Sequence, residues 1–233
     1  MSEITLLDKI AFNPDPEALL KRMRIQKRGP DADALEGLLN DAVSIVNPKG
    51  MYKVVFLEEK GDDFVVFAGI RFMSRVMRVN LDQTQRAFPM IATCGREIED
   101  WSKGIKDMLH RFWVDMIMEE ALRKAASYVV DHIKERFEIE NISYMSPGSI
   151  DDWPLSQQRG LFELLGDPKG EIGVELSENF LMIPTKTVSR LMFSSEEGYE
   201  NCRLCPREGH CPSRRAPFDP NLYARKYRLE DKG

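Results

Sequence analysis

The sequence has no apolar stretch long enough to cross a membrane. Its opening residues, Met1-Ser2-Glu3-Ile4-Thr5-Leu6-Leu7-Asp8-Lys9, lack the basic segment and apolar core of a secretory leader. Both absences lead us to expect a cytoplasmic protein with no membrane partner. There is no internal repeat, no low-complexity linker and no nucleic-acid-binding motif. A net charge of −5 argues against non-specific nucleic-acid binding, although Arg203, Arg207, Arg214, Arg215, Arg225, Lys226 and Arg228 make the C-terminal region locally basic. Histidine is scarce, and neither His110 nor His132 has a nearby ligand pattern. Cysteine is scarce too, with four in the chain, three of them in one short stretch.

What is present is the composition of an ordinary globular protein: 233 residues, 42% hydrophobic and 30% charged. That length buries a real core. The pattern predicts helices up to about Asn47 in two pieces. The first begins at Pro16, and the second runs over Asp31 to Val46 with a stripe of Leu35, Leu38, Leu39, Ala42, Val43 and Val46. Tyr52 to Leu57 and Phe64 to Phe67, flanking Gly61-Asp62, read as a hairpin. Residues 70–79 fit no period, and 82–87 read as a short helix. Phe88 to Cys94 reads as a buried strand, followed by an acidic helix carrying Glu97, Glu99 and Asp100. The longest helix is expected from Ile105 to Phe137, with Leu109, Phe112, Trp113, Met116, Leu122, Ala125, Ala126, Val129 and Ile133 on its apolar side. A helix through Leu161 to Leu165 should stop at Gly166 and Pro168, and short strands should fill Glu171 to Ser194. The whole reads as an α+β domain over 1–200, a mixed or antiparallel sheet flanked by helices, with a cysteine-bearing basic tail over 201–233.

Two stretches carry chemistry. Tyr144 to Leu155 is built around Ser146-Pro147-Gly148, where proline fixes one φ and glycine permits φ > 0 or close approach to bare backbone. Asp151 or Asp152 is placed to cap the following helix, with Pro154 in its first turn. The second stretch is Cys202-x2-Cys205-x5-Cys211. Three thiols so close can ligate zinc or an iron–sulfur centre, with His210, Cys94 or a partner residue as fourth ligand, or can act as redox-active or disulfide-forming thiols.

Ser146-Pro147-Gly148, Asp152-Trp153-Pro154-Leu155, Glu178-Asn179-Phe180, Met182-Ile183-Pro184 and Val188-Ser189 follow a long helix in that order. This second half of the chain resembles the activation domain of vitamin B12-dependent methionine synthase. The resemblance implies that fold, a shallow groove for S-adenosylmethionine, and a role in returning an inactive corrinoid to its methylated form. No cobalamin-binding Asp-x-His-x-x-Gly segment is present, so the corrinoid would belong to another protein or methyltransferase subunit, with flavodoxin or ferredoxin as an electron donor. By the same resemblance Glu119 faces the ligand's amino group, Ser146 and Gly148 offer backbone, and Tyr199 corresponds to a late family tyrosine. Glu119 also stands four residues before Arg123, the spacing of a surface ion pair. The family's loop opens with arginine and carries tyrosine after the glycine; here those positions are Tyr144 and Ser149, and Arg190 is the guanidinium that could compensate. The alternative is a metal-bearing electron-transfer or docking module for a corrinoid protein.

Overall fold

The structure, a computed structural model, describes residues 3–207, 209, 211 and 214–229. An antiparallel sheet of eight strands is built on β6 (Arg86–Thr93). Seven of its eight residues are buried, as the run of Ala87, Phe88, Met90, Ile91 and Ala92 demands of a strand covered on both faces. Along one edge of β6 lie β2 (Lys49–Lys53) and β3 (Val55–Lys60). The expected single strand over Tyr52 to Leu57 is thus interrupted at Val54, yet one register continues, with Tyr52 opposite Met90 and Val55 opposite Ala87. β3 then forms the expected hairpin with β4 (Phe64–Phe67), which pairs with β5 (Ile70–Met73).

Along the other edge of β6 runs β10 (Thr187–Ser194), and β7 (Ile142–Met145) pairs with β10 beyond it. A small separate ribbon joins β8 (Glu175–Leu176) to β9 (Met182–Ile183).

Several local expectations are corrected. Ahead of the first expected helix, Ile4–Leu7 forms a strand that the sequence reading did not include, β1, paired with β2; its four residues gain ladder bonds there that a helix this short could not supply. Residues 70–79 divide into β5 and helix α3 (Arg75–Asn80), whose N-cap Ser74 accepts from Met77 N–H at 3.0 Å. The segment 82–87 is a turn running into β6, since Ala87 and Phe88 fill core on both faces. The helix through Leu161 to Leu165 stops at Gly166 as expected, but Glu171 and Ile172 are not strand: Pro168 starts a further helix, α7 (Pro168–Ile172), because Asp167 caps it and proline suits the first turn.

Helices α1 (Pro16–Met23), α2 (Pro30–Ile45), α4 (Arg96–Ser102) and α5 (Met108–Phe137) form a second layer. Ala125, Ala126, Val129 and Ile133 of α5 pack against Tyr52, Phe88, Met90 and Ala92. The first turns of α5 depart from the expected stripe: Leu109 and Phe112 are exposed, because the buried face there is Trp113, Val114 and Ile117. On the opposite sheet face lie α6 (Gln158–Leu165), α7 and the last segment, which sends Leu222 and Tyr227 into the core around Trp153, Phe72 and Phe193. Among the described residues no helix is long and apolar enough to cross a membrane.

The small residues of α5 let it approach the sheet closely. A Cβ on Gly50 of β2 would come 2.3 Å from Val129 Cγ2. Gly50→Ala should therefore cost about 1–3 kcal/mol by overpacking, and Val129→Ala in the same chain should return part of that loss. Urea unfolding of the two single variants and the double variant measures both.

Candidate functional site

The Ser-Pro-Gly loop leaves β7 at the edge of the sheet. Gly148 takes φ 73°, in the left-handed region, and its N–H donates to the Trp153 carbonyl at 2.8 Å. Ser149 folds back on the same turn, with N–H and hydroxyl both donating to the Ser146 carbonyl at 3.2 and 2.5 Å. Trp153 anchors the loop; its ring is fully buried, edge-on to Phe72.

Asp152 does not cap the helix that follows it. A 3₁₀ turn at Leu155–Gln157 precedes α6 with no side-chain cap. The Asp152 carboxylate instead accepts from Val76 N–H at 3.0 Å and from the Ser74 hydroxyl at the start of α3, and from the Tyr223 hydroxyl at 3.1 Å. One side chain thus ties the loop, α3 and the C-terminal segment together, a role that local spacing does not reveal.

Beside Ser146 and Pro147 lies a groove of about 370 Å³, walled by Leu155, Gln158, the turn Phe180 to Met182 and the start of β10. Leu181 is 64% exposed at its rim, so the groove offers a ligand apolar surface. Its far wall is held by Glu99, a buried carboxylate of α4 that accepts from the Thr185 backbone N–H and, at 3.0 Å, from its hydroxyl. Nothing in the acidic run of α4 distinguishes Glu99 from Glu97 without the fold. A larger, mostly polar depression of about 830 Å³ opens between Asn80, Glu138 and Glu197, but none of the candidate ligand-binding or metal-binding residues lines it.

Val188 lines the groove, and Arg190 stands two residues further on the same face of β10. The Arg190 guanidinium lies 4.0 Å from the centroid of the Tyr144 ring. Arg215, from the C-terminal segment, lies 4.7 Å from the same ring and pairs with Glu200 at 2.8 Å. Among the described residues Arg190 has no carboxylate partner. Its burial, and then the neighbouring Arg215 charge, press its pKa below the usual arginine range. Cation–π stacking contributes about 0.5–2 kcal/mol, whereas desolvating a charge costs several. Arg190 is therefore a cation still short of a counter-ion.

The other residues singled out are occupied. Glu119 pairs with Arg22 at 2.9 Å and Arg123 at 3.4 Å, and Glu120 joins the same cluster. Tyr199 is turned inward: burial raises its phenol pKa, and its hydroxyl donates to Asn201 Oδ1 at 2.5 Å. Asn201 Nδ2 donates to the Ser149 hydroxyl, so Tyr199 reaches the Ser146 turn through a chain of hydrogen bonds. Ser149 is thereby part of the scaffold of the turn.

Of the cysteines, Cys94 is enclosed in the core between α2, α4 and α5, where burial pushes its thiol up to about 12. That enclosure separates it from the cysteine loop. Cys202 and Cys205 are half-buried and Cys211 is exposed. Among the described residues no three His, Cys, Asp or Glu side chains are grouped to hold a metal ion, and His210 lies outside those residues.

No family model matches the sequence, and no curated protein matches it. Among solved structures, a crystal structure of the MetH reactivation domain bound to AdoHcy matches with a TM-score of 0.63 at 13% identity, over 85% of this chain and 80% of that one. The chain has the fold of the MetH reactivation domain. The α+β architecture, the antiparallel sheet and the long helix expected from the sequence are those of the MetH domain.

Asp152→Ala removes three bonds at once and should lower stability by about 1–3 kcal/mol, while Asp151→Ala, at an exposed residue with no bonded partner among the described residues, should change it by less than about 0.5. Chemical denaturation of both variants distinguishes this long-range cap from a local one.

Proposed function

We propose that the chain holds S-adenosylmethionine in the groove beside Ser146 and Pro147 and presents its methyl group to a corrinoid carried by a separate protein. The observation that carries the reading is Arg190, a mostly buried guanidinium with no carboxylate partner among the described residues, stacked on Tyr144 two residues along β10 from Val188 of the groove. A ligand carboxylate supplies the missing charge through a charge-assisted contact to the guanidinium, which Tyr144 holds by stacking. Leu155, Leu181 and Val188 cover the apolar part of the ligand. Gly148 shapes the turn that brings the Ser146 backbone to the rim, and Tyr199 steadies that turn through Asn201 and Ser149. Glu119 takes the ligand's amino group by exchange with Arg22 or Arg123.

The groove volume falls within the range that small-molecule ligands fill. The likeness to a domain solved with AdoHcy supports the choice of ligand. When bound, the partner's corrinoid supplies the nucleophile that accepts the sulfonium methyl group. This chain's part is to orient the donor and keep its reacting carbon at the open face of the groove. A flavodoxin or ferredoxin supplies the electron that such reactivation consumes.

Calorimetric titration with S-adenosylmethionine and S-adenosylhomocysteine tests the reading. We expect saturable binding of both, weakened about 10- to 100-fold by Arg190→Ala, the equivalent of a lost charge-assisted contact of about 1.5–3 kcal/mol. Glu119→Ala should weaken it less, because the ion-pair cluster already occupies that carboxylate. Equilibrium dialysis showing no binding at high ligand concentration would reject the assignment.

A further inference from the structure

Arg214 holds the cysteine loop from inside. Its Nη1 donates to the carbonyls of Cys202 at 2.8 Å and Ala216 at 2.9 Å, and its Nη2 to that of Cys205 at 2.7 Å. One guanidinium thereby fixes the backbone at both members of a Cys-x2-Cys pair. Within the pair, the Cys205 N–H donates to the Cys202 carbonyl at 3.4 Å. Such a turn brings its first and fourth Cα atoms within about 7 Å, overlapping the span of about 4.4–6.8 Å that a disulfide bridges. Both thiols are free and neither is sealed in the core.

The same pair is wired to the face of the sheet that carries Arg190. Cys202 Sγ accepts from the Arg215 N–H at 3.5 Å, and the Arg215 side chain then reaches over Tyr144. Glu200 closes the circuit, accepting from the Cys202 N–H at 3.5 Å and from Arg215 Nη2 at 2.8 Å.

We propose that Cys202 and Cys205 are a redox-active dithiol that closes to a disulfide by exchange with a low-molecular-weight or protein disulfide, and that Arg215 transmits the change to Tyr144. One cysteine sulfur attacks a sulfur of the incoming disulfide, which leaves one thiol and a mixed disulfide. The second cysteine sulfur then displaces the other thiol. Two electrons and two protons leave the pair, and the incoming disulfide departs as two thiols. Bonding to Cys205 takes the Cys202 sulfur out of its contact with Arg215, so the hold of Arg215 on Tyr144 loosens in the oxidised form. This device works whichever ligand the groove takes.

The full chain, equilibrated anaerobically in mixtures of reduced and oxidised glutathione and quenched with N-ethylmaleimide, provides the test by mass-spectrometric mapping. At the oxidising end we expect an internal Cys202–Cys205 disulfide, two hydrogens lighter than the dithiol, with Cys94 unreactive until the protein unfolds. Cys205→Ser should trap Cys202 as a mixed disulfide with glutathione. Hydrogen–deuterium exchange at the Arg215 amide should be several-fold faster in the oxidised protein. The proposal fails if both thiols stay alkylatable at the oxidising end, if the disulfide runs through Cys211, or if tightly held zinc or iron shields all three. Unchanged exchange at Arg215 would overturn the transmission to Tyr144.

Discussion

The register of β10 on β6 is the constraint from which the site follows. β6 is buried on both faces, so its backbone groups must be paired on both edges, and β10 meets that need from Thr187 opposite Thr93 to Met192 opposite Phe88. Because strand side chains alternate, a slip of one residue would send Arg190 to the α6 side and Leu191 to the α5 side. The observed register puts Leu191 and Phe193 into the core with Trp153, and leaves Val188 and Arg190 on the other face beside Tyr144. Among the described strands β7 pairs with β10, with Met192 opposite Tyr144.

Charge is distributed around this frame so that nearly every candidate group has been satisfied internally. Glu99 serves as a strut for Thr185, Asp152 as a distant cap, and Glu119 and Glu120 as anchors for α1 through Arg22. A carboxylate so placed contributes to structure, and its recruitment by a ligand would require a competing partner to be released. Arg190 differs because aromatic stacking only partly offsets its desolvation. That imbalance makes it the most informative side chain near the groove.

The C-terminal segment is joined to the fold by packing and by polar contacts. Leu222 and Tyr227 enter the core, Arg75 donates to the Tyr227 carbonyl at 3.0 Å, and Asn201 links Tyr199 to the Ser146 turn. Cys202 thus follows directly on the asparagine that bonds the turn beside the groove. Arg214 organises their backbone, while Arg215 reaches the aromatic ring that Arg190 also uses.

The long helix, the hairpin, the buried strand before Gly95, the two short strands of the ribbon and the Ser-Pro-Gly turn were legible in the sequence, because periodicity and turn chemistry act over a few residues. β1 was not, since four residues of Ile-Thr-Leu-Leu become a strand only by lying against β2. The role of Asp152 was hidden because its partners in α3 are 76 and 78 positions away. For the same reason no local pattern could show that Arg22 occupies Glu119, that Tyr199 points inward, or that Arg215 lies over Tyr144. By itself the sequence determined the longer periodic segments and the turn chemistry, and which residues could carry chemistry. Only the tertiary structure decided which of those groups are already paired and which remain available, because pairing depends on neighbours that the chain brings together through folding.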